Sequence, residues 1–511
     1  MGHVAQEVVM TAVWDIARDR DTHFPALTGH KDADVVVIGG GITGITTALR
    51  LAEDGKRVVV LESWTVGGGN TGGSTGNLYS TLARGIGSVR ASWGDDVMRE
   101  VVKARATGVD FIEQSVQRLG IDCQFRRCSL YFAAPTSSET LGHSLDEERS
   151  ASEAAGLKAS LVQDVPLPFP MQRSLKVENQ AQFNPLRYVQ SLARAGAEKG
   201  ASIHEQSRVI EVDAGKGVVR TEEGEVHARH IVHATHSPMG INVLQGAMVP
   251  SREYGVTARL TTPQYPEDIL WVLDPFHSIR SYHHEGKDYL VVVGEHHKTG
   301  ENGAGKDHYA RLEEYVRSKF ETDAFEHRWS AQQFSSADGL PYIGQALGKG
   351  HVYVATGFAA DGLTWGTVAG LMLSDLISGR DNPWLDRFSP RRFTPMRSAK
   401  GWVEENVSVA KHFVKDHLGT DKIKGLEELD GLQPGVGKLV SRGGEKLAVY
   451  RDEDGQLTAL TAVCPHMKCL VHWNNSDKSW DCPCHGSRFT KDGAVIEGPA
   501  FQGLQQRDIG R

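Results

Sequence analysis

Apolar and polar positions alternate along the chain in two distinct periods. Residues 34–38 (DVVVI) form a short unbroken apolar run, read as a buried strand, and ITTALRLAEDGK after it carries apolar residues at helical spacing. VVVLE at 58–62 is a second buried strand, so a β-α-β unit of about thirty residues is predicted. Helical patterns follow over 95–120, 142–157 and 185–200, with strands around 203–233. Residues 250–296 alternate apolar and polar positions, as in EYGVTARL and DYLVVVGE, and predict an antiparallel sheet. HVYVATGF at 351–358 is a further buried strand, and LTWGTVAGLMLSDLIS at 363–378 a helix behind a glycine loop. Residues 398–418 predict an amphipathic helix. Beyond about 420, short strands alternate with glycine turns, which suggests a small all-β domain.

The predicted fold class is therefore an α/β region with a Rossmann-type parallel sheet, an antiparallel-sheet substrate domain, and a small all-β domain at the end. The expected boundaries are an N-terminal extension at 1–30, a main body at 31–397, a helical linker at 398–422 and the last domain at 423–511. Within the body, parallel-sheet segments fall at about 31–90, 185–240 and 335–380, and the substrate sheet at about 95–184 and 241–334.

Composition narrows the function classes. A chain of 511 residues with 40% hydrophobic content can bury several cores. The net charge of −8 gives no reason to expect nucleic acid. Neither a signal peptide nor an apolar run of membrane-spanning length is found, so a cytoplasmic protein with no transmembrane segment is expected. Six cysteines are present, and four of them, Cys464, Cys469, Cys482 and Cys484, fall within 21 residues. That clustering points to a metal site instead of a spread disulfide framework. Cys123 and Cys128 read as ordinary semi-buried thiols.

Gly39, Gly41 and Gly44 form G-x-G-x-x-G between the first strand and helix. The first permits the tight turn, the second lets backbone approach a pyrophosphate, and the third lets helix and strand pack closely. Glu62 ends the second strand, where its carboxylate can accept ribose hydroxyls. The alternative is a purely structural turn. A glycine-rich loop at 67–77 and a second glycine-loop-to-helix element at Gly357 and Gly362 suggest one long cofactor, FAD in preference to NAD.

Cys464-Pro-His466 and Cys482-Pro-Cys484-His485 each offer one thiolate and one imidazole. A Rieske [2Fe–2S] cluster needs two thiolates on one iron and two imidazoles on the other. Structural zinc, which also suits two cysteines and two histidines, is the competing reading.

VVVIGGGITGITTALRLAEDGKRVVVLES, IVHATHSP and DGLPYIG with VYVATGFAADGLTWGTVAG resemble the D-amino-acid oxidase/glycine oxidase superfamily of FAD-dependent amine oxidoreductases over roughly 30–380. The resemblance implies flavin contacts from Gly40, Thr43, Gly44, Glu62, Thr71, Gly357, Phe358, Gly362, Leu363, Thr364 and Trp365. The CPCHGS string, with the upstream C-x-H, closely resembles Rieske domains, in which Ser487 would donate to a cluster sulfur. Cys469 and Cys484 match the two extra cysteines of respiratory Rieske proteins, which implies a disulfide between them. Phe489 stands where those proteins usually carry a tyrosine, which implies a lower potential. The whole order resembles bacterial FAD-dependent oxidoreductases with a C-terminal Rieske domain.

The implied activity is oxidation of an amine or amino acid by hydride transfer, with electrons relayed through the cluster to an external acceptor. A dehydrogenase is expected more than an oxidase. A lysine found after the TGF loop in the sarcosine-oxidising branch is replaced by Thr364. Tyr254, Arg280 and Tyr282 are the substrate-site candidates. Arg280 would pair a carboxylate in bidentate fashion, against the alternative of a surface arginine on a strand. The doublets His283–His284 and His296–His297 are not read as a metal site, since neighbours on a strand point to opposite faces. The competing functions are a flavin reductase or monooxygenase-type catalyst fed through the cluster, and a non-catalytic electron carrier or redox sensor.

Overall fold

The computed structural model describes residues 12–135, 139–262, 264–301, 307–348, 350–392, 421–422 and 426–508. The helix expected over 398–418 lies outside the described residues. Valine-rich strands buried on both faces form the centre of a sheet ordered Tyr342–Gln345, Val352–Thr356, Gly224–His233, Gly29–Ile38, Val58–Leu61, Ser202–His204. The last five run parallel and Tyr342–Gln345 antiparallel, with the strands Val209–Asp213 and Val218–Thr221 appended as a hairpin. Helices Ile42–Glu53 and Gly362–Ser378 cross on this sheet with backbones close together. A Cβ on Gly366 would meet Thr43 Oγ1 at 2.7 Å, and one on Gly370 would meet Thr46 Cβ at the same distance. Gly44 is held to glycine in the same way, since a Cβ there would collide with the Gly39 carbonyl.

The second sheet has nine strands, mostly antiparallel, ordered from Thr322–Ser336 through Met248–Leu260, Lys287–Lys298, His277–His284, Ile269–Val272, Arg126–Ala134 and Arg173–Gln182 to Asn77–Leu78. The glycine-rich loop therefore ends as a short strand paired with Arg173–Gln182. Trp14, from the N-terminal 3-10 turn Val13–Ala17, is fully buried against Tyr282. The segment expected to be an extension thus contributes to the core.

The C-terminal part consists of two four-stranded sheets. Asp421–Lys422 pairs with Val436–Arg442, which carries the first of them two residues into the expected linker. The second, from His472–Asn474 to Val495–Glu497, carries the cysteine loops at its edge. No helix among the described residues is long and apolar enough to cross a membrane.

Candidate functional site: a dinucleotide cavity walled by the cysteine-rich domain

A cavity of about 280 Å³ opens at the carboxyl ends of the parallel strands, beside Ile38, Glu62 and Ala234. The N-termini of both long helices converge on it, through Gly41, Ile42 and Thr43 from one and Gly362 and Leu363 from the other. Their unpaired N–H groups and positive dipole ends make an anion-binding wall. Thr71 caps the first helix, its Oγ1 accepting the Ile42 N–H at 3.0 Å. Glu62 accepts the Gly40 N–H at 2.6 Å and the Trp64 N–H at 2.9 Å, so its carboxylate braces the glycine turn from inside. Burial pushes the Glu62 carboxyl up, against the pull of these N–H groups and of Arg208.

Of the residues expected at the cofactor, Gly39, Gly41, Thr43, Glu62, Thr71, Phe358, Gly362 and Leu363 line this cavity. Gly40, Gly44, Gly357, Thr364 and Trp365 support it from behind. Thr364 packs on Gly108, and Trp365 meets Phe388 edge to face and lies under the Arg105 guanidinium, 5.2 Å from its ring centroid. Thr364 and Trp365 do not line the cavity, because their side of the helix faces helix Asp95–Leu119.

The three substrate candidates, Tyr254, Arg280 and Tyr282, lie outside the cavity lining. Arg280 is buried, and its Nη1 donates to the Gly76 carbonyl at 2.8 Å and the Thr75 carbonyl at 3.1 Å, while Trp14 covers its face. It therefore holds the glycine-rich loop to the sheet. With no carboxylate beside it, burial lowers its pKa to about 9. Tyr282 accepts from Asn184 at 2.9 Å. Tyr254 accepts the Asn474 amide at 3.0 Å and so belongs to the seam with the C-terminal domain.

Sequence reasoning missed other residues. Arg208 lines the cavity beside Glu62 and Trp64, and its Nη2 is buried without a protein acceptor. Buried donors of this kind call for a partner, and a phosphate or ribose oxygen would supply one. Glu253 also lines the cavity, with His296 3.4 Å away. Asp361 is matched by the buried Arg105, and Glu497 by Arg488 and Arg252. Of the four acids among the described lining residues this leaves Glu62, braced by the Gly40 and Trp64 N–H groups, and Glu253, beside His296, without an arginine ion pair.

The two cysteine loops come together. Cys464 and Cys482 are buried free thiols within hydrogen-bonding reach of each other, and this contact holds Cys464 below the ordinary thiol range. Ser487 also donates toward Cys464. His466 and His485 sit edge to face with ring centroids 5.0 Å apart. Both nitrogens of His466 and Nδ1 of His485 are buried without a protein hydrogen bond. Burial, then the neighbouring His466, lowers His485 to about 4. Two thiols on one side and two unpaired imidazoles on the other fit a Rieske cluster. Cys469 and Cys484 form a disulfide that ties the two loops together.

The cluster loops are docked on the cavity wall. Gln332 lines the cavity, and its Nε2 donates to the carbonyl of Gly486, the neighbour of His485, at 2.9 Å. Ile496, Glu497 and Gly498 of the C-terminal domain complete the wall. Asn70 joins both sides, bonding His236 at 2.9 Å and Glu497 at 3.2 Å. Behind the wall, Asp477 receives Arg252 at 2.6 Å and Arg488 at 2.7 Å.

Comparison with known proteins agrees with this division. Residues 34–376 match the family of FAD dependent oxidoreductases, and 425–507 match the Rieske [2Fe-2S] domain. The chain is 32% identical to YhfW of Bacillus subtilis (strain 168), named as a Rieske 2Fe-2S iron-sulfur protein, across 99% of both chains. It is 27% identical to gamma-glutamylputrescine oxidoreductase of Escherichia coli (strain K12), over 70% of this chain and 86% of that one. Glycine oxidase from Geobacillus kaustophilus shares the fold, with a TM-score of 0.58 at 20% identity over 71% of this chain and all of its own.

Proposed function

Because this chain belongs to the FAD dependent oxidoreductase family and ends in a Rieske [2Fe-2S] domain, we propose that it oxidises the C–N bond of a cationic amine and passes the electrons singly to an external acceptor. Bound FAD would supply hydride acceptance and the cluster single-electron transfer. Gly39, Gly41, Thr43, Glu62, Thr71 and Arg208 would hold the dinucleotide half, and Phe358 and Leu363 would border its ring. Cys464, His466, Cys482 and His485 would hold the cluster.

The observation that carries this reading is the shared wall. One residue, Gln332, faces the cavity and hydrogen-bonds the backbone beside a cluster ligand. A cluster placed there would be a fixed neighbour of the flavin site, with no domain movement required.

The charges along the cavity favour an amine over an amino acid. Glu253 is available to accept an ammonium group, whereas Arg280 is already committed to backbone carbonyls. The substrate nitrogen must be deprotonated before a C–H bond next to it can give up a hydride. The Glu253–His296 pair could take that proton. The imine formed would be hydrolysed by water, releasing an aldehyde or ketone and the smaller amine or ammonia.

Anaerobic mixing of holoprotein with a panel of amines, amino acids and NAD(P)H tests the reading. Bleaching of the flavin band by an aliphatic amine is expected. Bleaching by NAD(P)H alone would replace the reading with a reductase, and bleaching by none of them with an electron carrier.

A further inference from the structure

At the opposite end of the parallel sheet from the cavity, two neighbouring strands bring four metal-ligating side chains to one face. Gly29–Ile38 and Gly224–His233 pair with His30 opposite Glu225 and Asp32 opposite His227. Side chains two apart on a strand share a face, so the four form a square array.

Two imidazole nitrogens converge on one oxygen of this array. His30 Nδ1 lies 3.6 Å and His227 Nε2 2.9 Å from Glu225 Oε1, and the two rings meet edge to face with centroids 4.4 Å apart. Ligand atoms of a tetrahedral zinc ion, bonded at about 2.0–2.1 Å, stand about 3.3 Å apart. The observed separations fall on either side of that value.

The remaining contacts orient these ligands. Asp32 Oδ1 lies 3.3 Å from His30 Nε2, the nitrogen facing away from Glu225. A proton held there leaves the lone pair on Nδ1, as in a carboxylate–histidine–metal relay. Arg220 Nε donates to the other oxygen of Glu225 at 3.2 Å, which fixes Oε1 toward the imidazoles.

We propose that His30, Glu225 and His227 bind a divalent transition-metal ion of the zinc class, with Asp32 orienting His30. Two imidazoles with one carboxylate suit zinc or its neighbours and disfavour calcium and magnesium, which take oxygen ligands. All three ligands are partly exposed, so the ion enters from solution and keeps water in its open position. Bound there, it clips the first turn-out of the central strand to its neighbour, far from the redox chemistry, so the site is independent of the function proposed above.

The test uses cluster-loaded holoprotein, dialysed against chelator and titrated with zinc chloride by calorimetry, with zinc and iron counted by elemental analysis. One zinc per chain is expected to bind with iron unchanged, which separates this site from zinc entering the cysteine loops. The thermal midpoint should rise with zinc concentration. A His30→Ala/His227→Ala variant should lose the binding. Asp32→Asn, which keeps every ligand, should weaken it roughly tenfold or more. Failure of the wild type to take up zinc, or equal uptake by the double variant, would overturn the site.

Discussion

Replacing Asp477 with asparagine should destabilise the holoprotein by about 3–5 kcal/mol, the usual cost of leaving a buried charge unpaired. Asp477 Oδ2 receives Arg252 at 2.6 Å, Arg488 at 2.7 Å and Ser330 at 2.8 Å, and Oδ1 receives Tyr309 at 3.1 Å. Both arginines are essentially inaccessible to water, at 0% and 2% exposure. An amide at this position offers one acceptor, presents its own N–H groups to donors, and leaves two guanidinium charges short of a counter-ion. Asp481 and Glu497 still neutralise Arg488 in part, which argues for the lower end of the range. Arg252 belongs to the flavin module and Asp477 to the cluster module, so the loss falls on their seam.

The assay is thermal unfolding of holoprotein, read separately by flavin fluorescence and by visible circular dichroism of the cluster. In the wild type the two signals should change together. In Asp477→Asn they should separate, with the seam opening first. Adding Arg252→Met should restore part of the loss, because it removes the charge that had been orphaned. A pH series adds a sign test. Burial alone would raise the Asp477 carboxyl, but Arg252 and Arg488 more than offset it and hold it below its ordinary value. Stability from a lowered carboxyl is fully present above the unfolded value of about 3.9 and is lost as pH falls through the folded one. The difference between wild type and Asp477→Asn should therefore be constant near neutrality and shrink only in strong acid. A change of less than about 0.5 kcal/mol, as for an ordinary surface substitution, would refute the reasoning.

Three further outcomes follow from the site. Glu253→Gln should raise KM for the amine substrate roughly tenfold to a hundredfold, as expected for loss of a charged hydrogen bond of about 1.5–3 kcal/mol, without altering FAD content by absorbance. Gln332→Met should slow electron passage from flavin to cluster roughly tenfold while leaving both midpoint potentials unchanged, measured by flash photolysis and spectroelectrochemistry. Cys469→Ser/Cys484→Ser should lower the resistance of the cluster to thermal loss by about 3 kcal/mol, the usual figure for closing a loop of this size, followed by bleaching of its visible band.

The parts of the site that were legible in the sequence are those built from local chain. The glycine turn, the acid ending the next strand and the paired cysteine–histidine loops each lie within a few residues, so spacing alone declares them. Which residues of the second sheet line the cavity was not legible, for a specific reason. Along Met248–Leu260 nine of the thirteen residues are buried and the other four half-buried, because one face lines the cavity and the other is covered by helix His308–Lys319 and the cluster domain. With both faces dry, the period of two no longer says which face is which. Glu253 and Gly255 look into the cavity, while Arg252 and Tyr254 look into the seam. Arg280 was obscured by partners far away in the chain, the loop carbonyls of Thr75 and Gly76 and the ring of Trp14. Arg208 and Gln332 belong to no motif, and only the folded chain places them.

Laser-flash photoreduction of the holoprotein with deazariboflavin, under strict anaerobiosis, probes the coupling of the two redox sites without requiring the natural substrate. Reduced flavin should decay as the Rieske electron-spin signal grows, at a rate independent of protein concentration. Flavin that stays reduced beside an oxidised cluster, or transfer that speeds up as the protein is concentrated, would contradict a route through the shared wall.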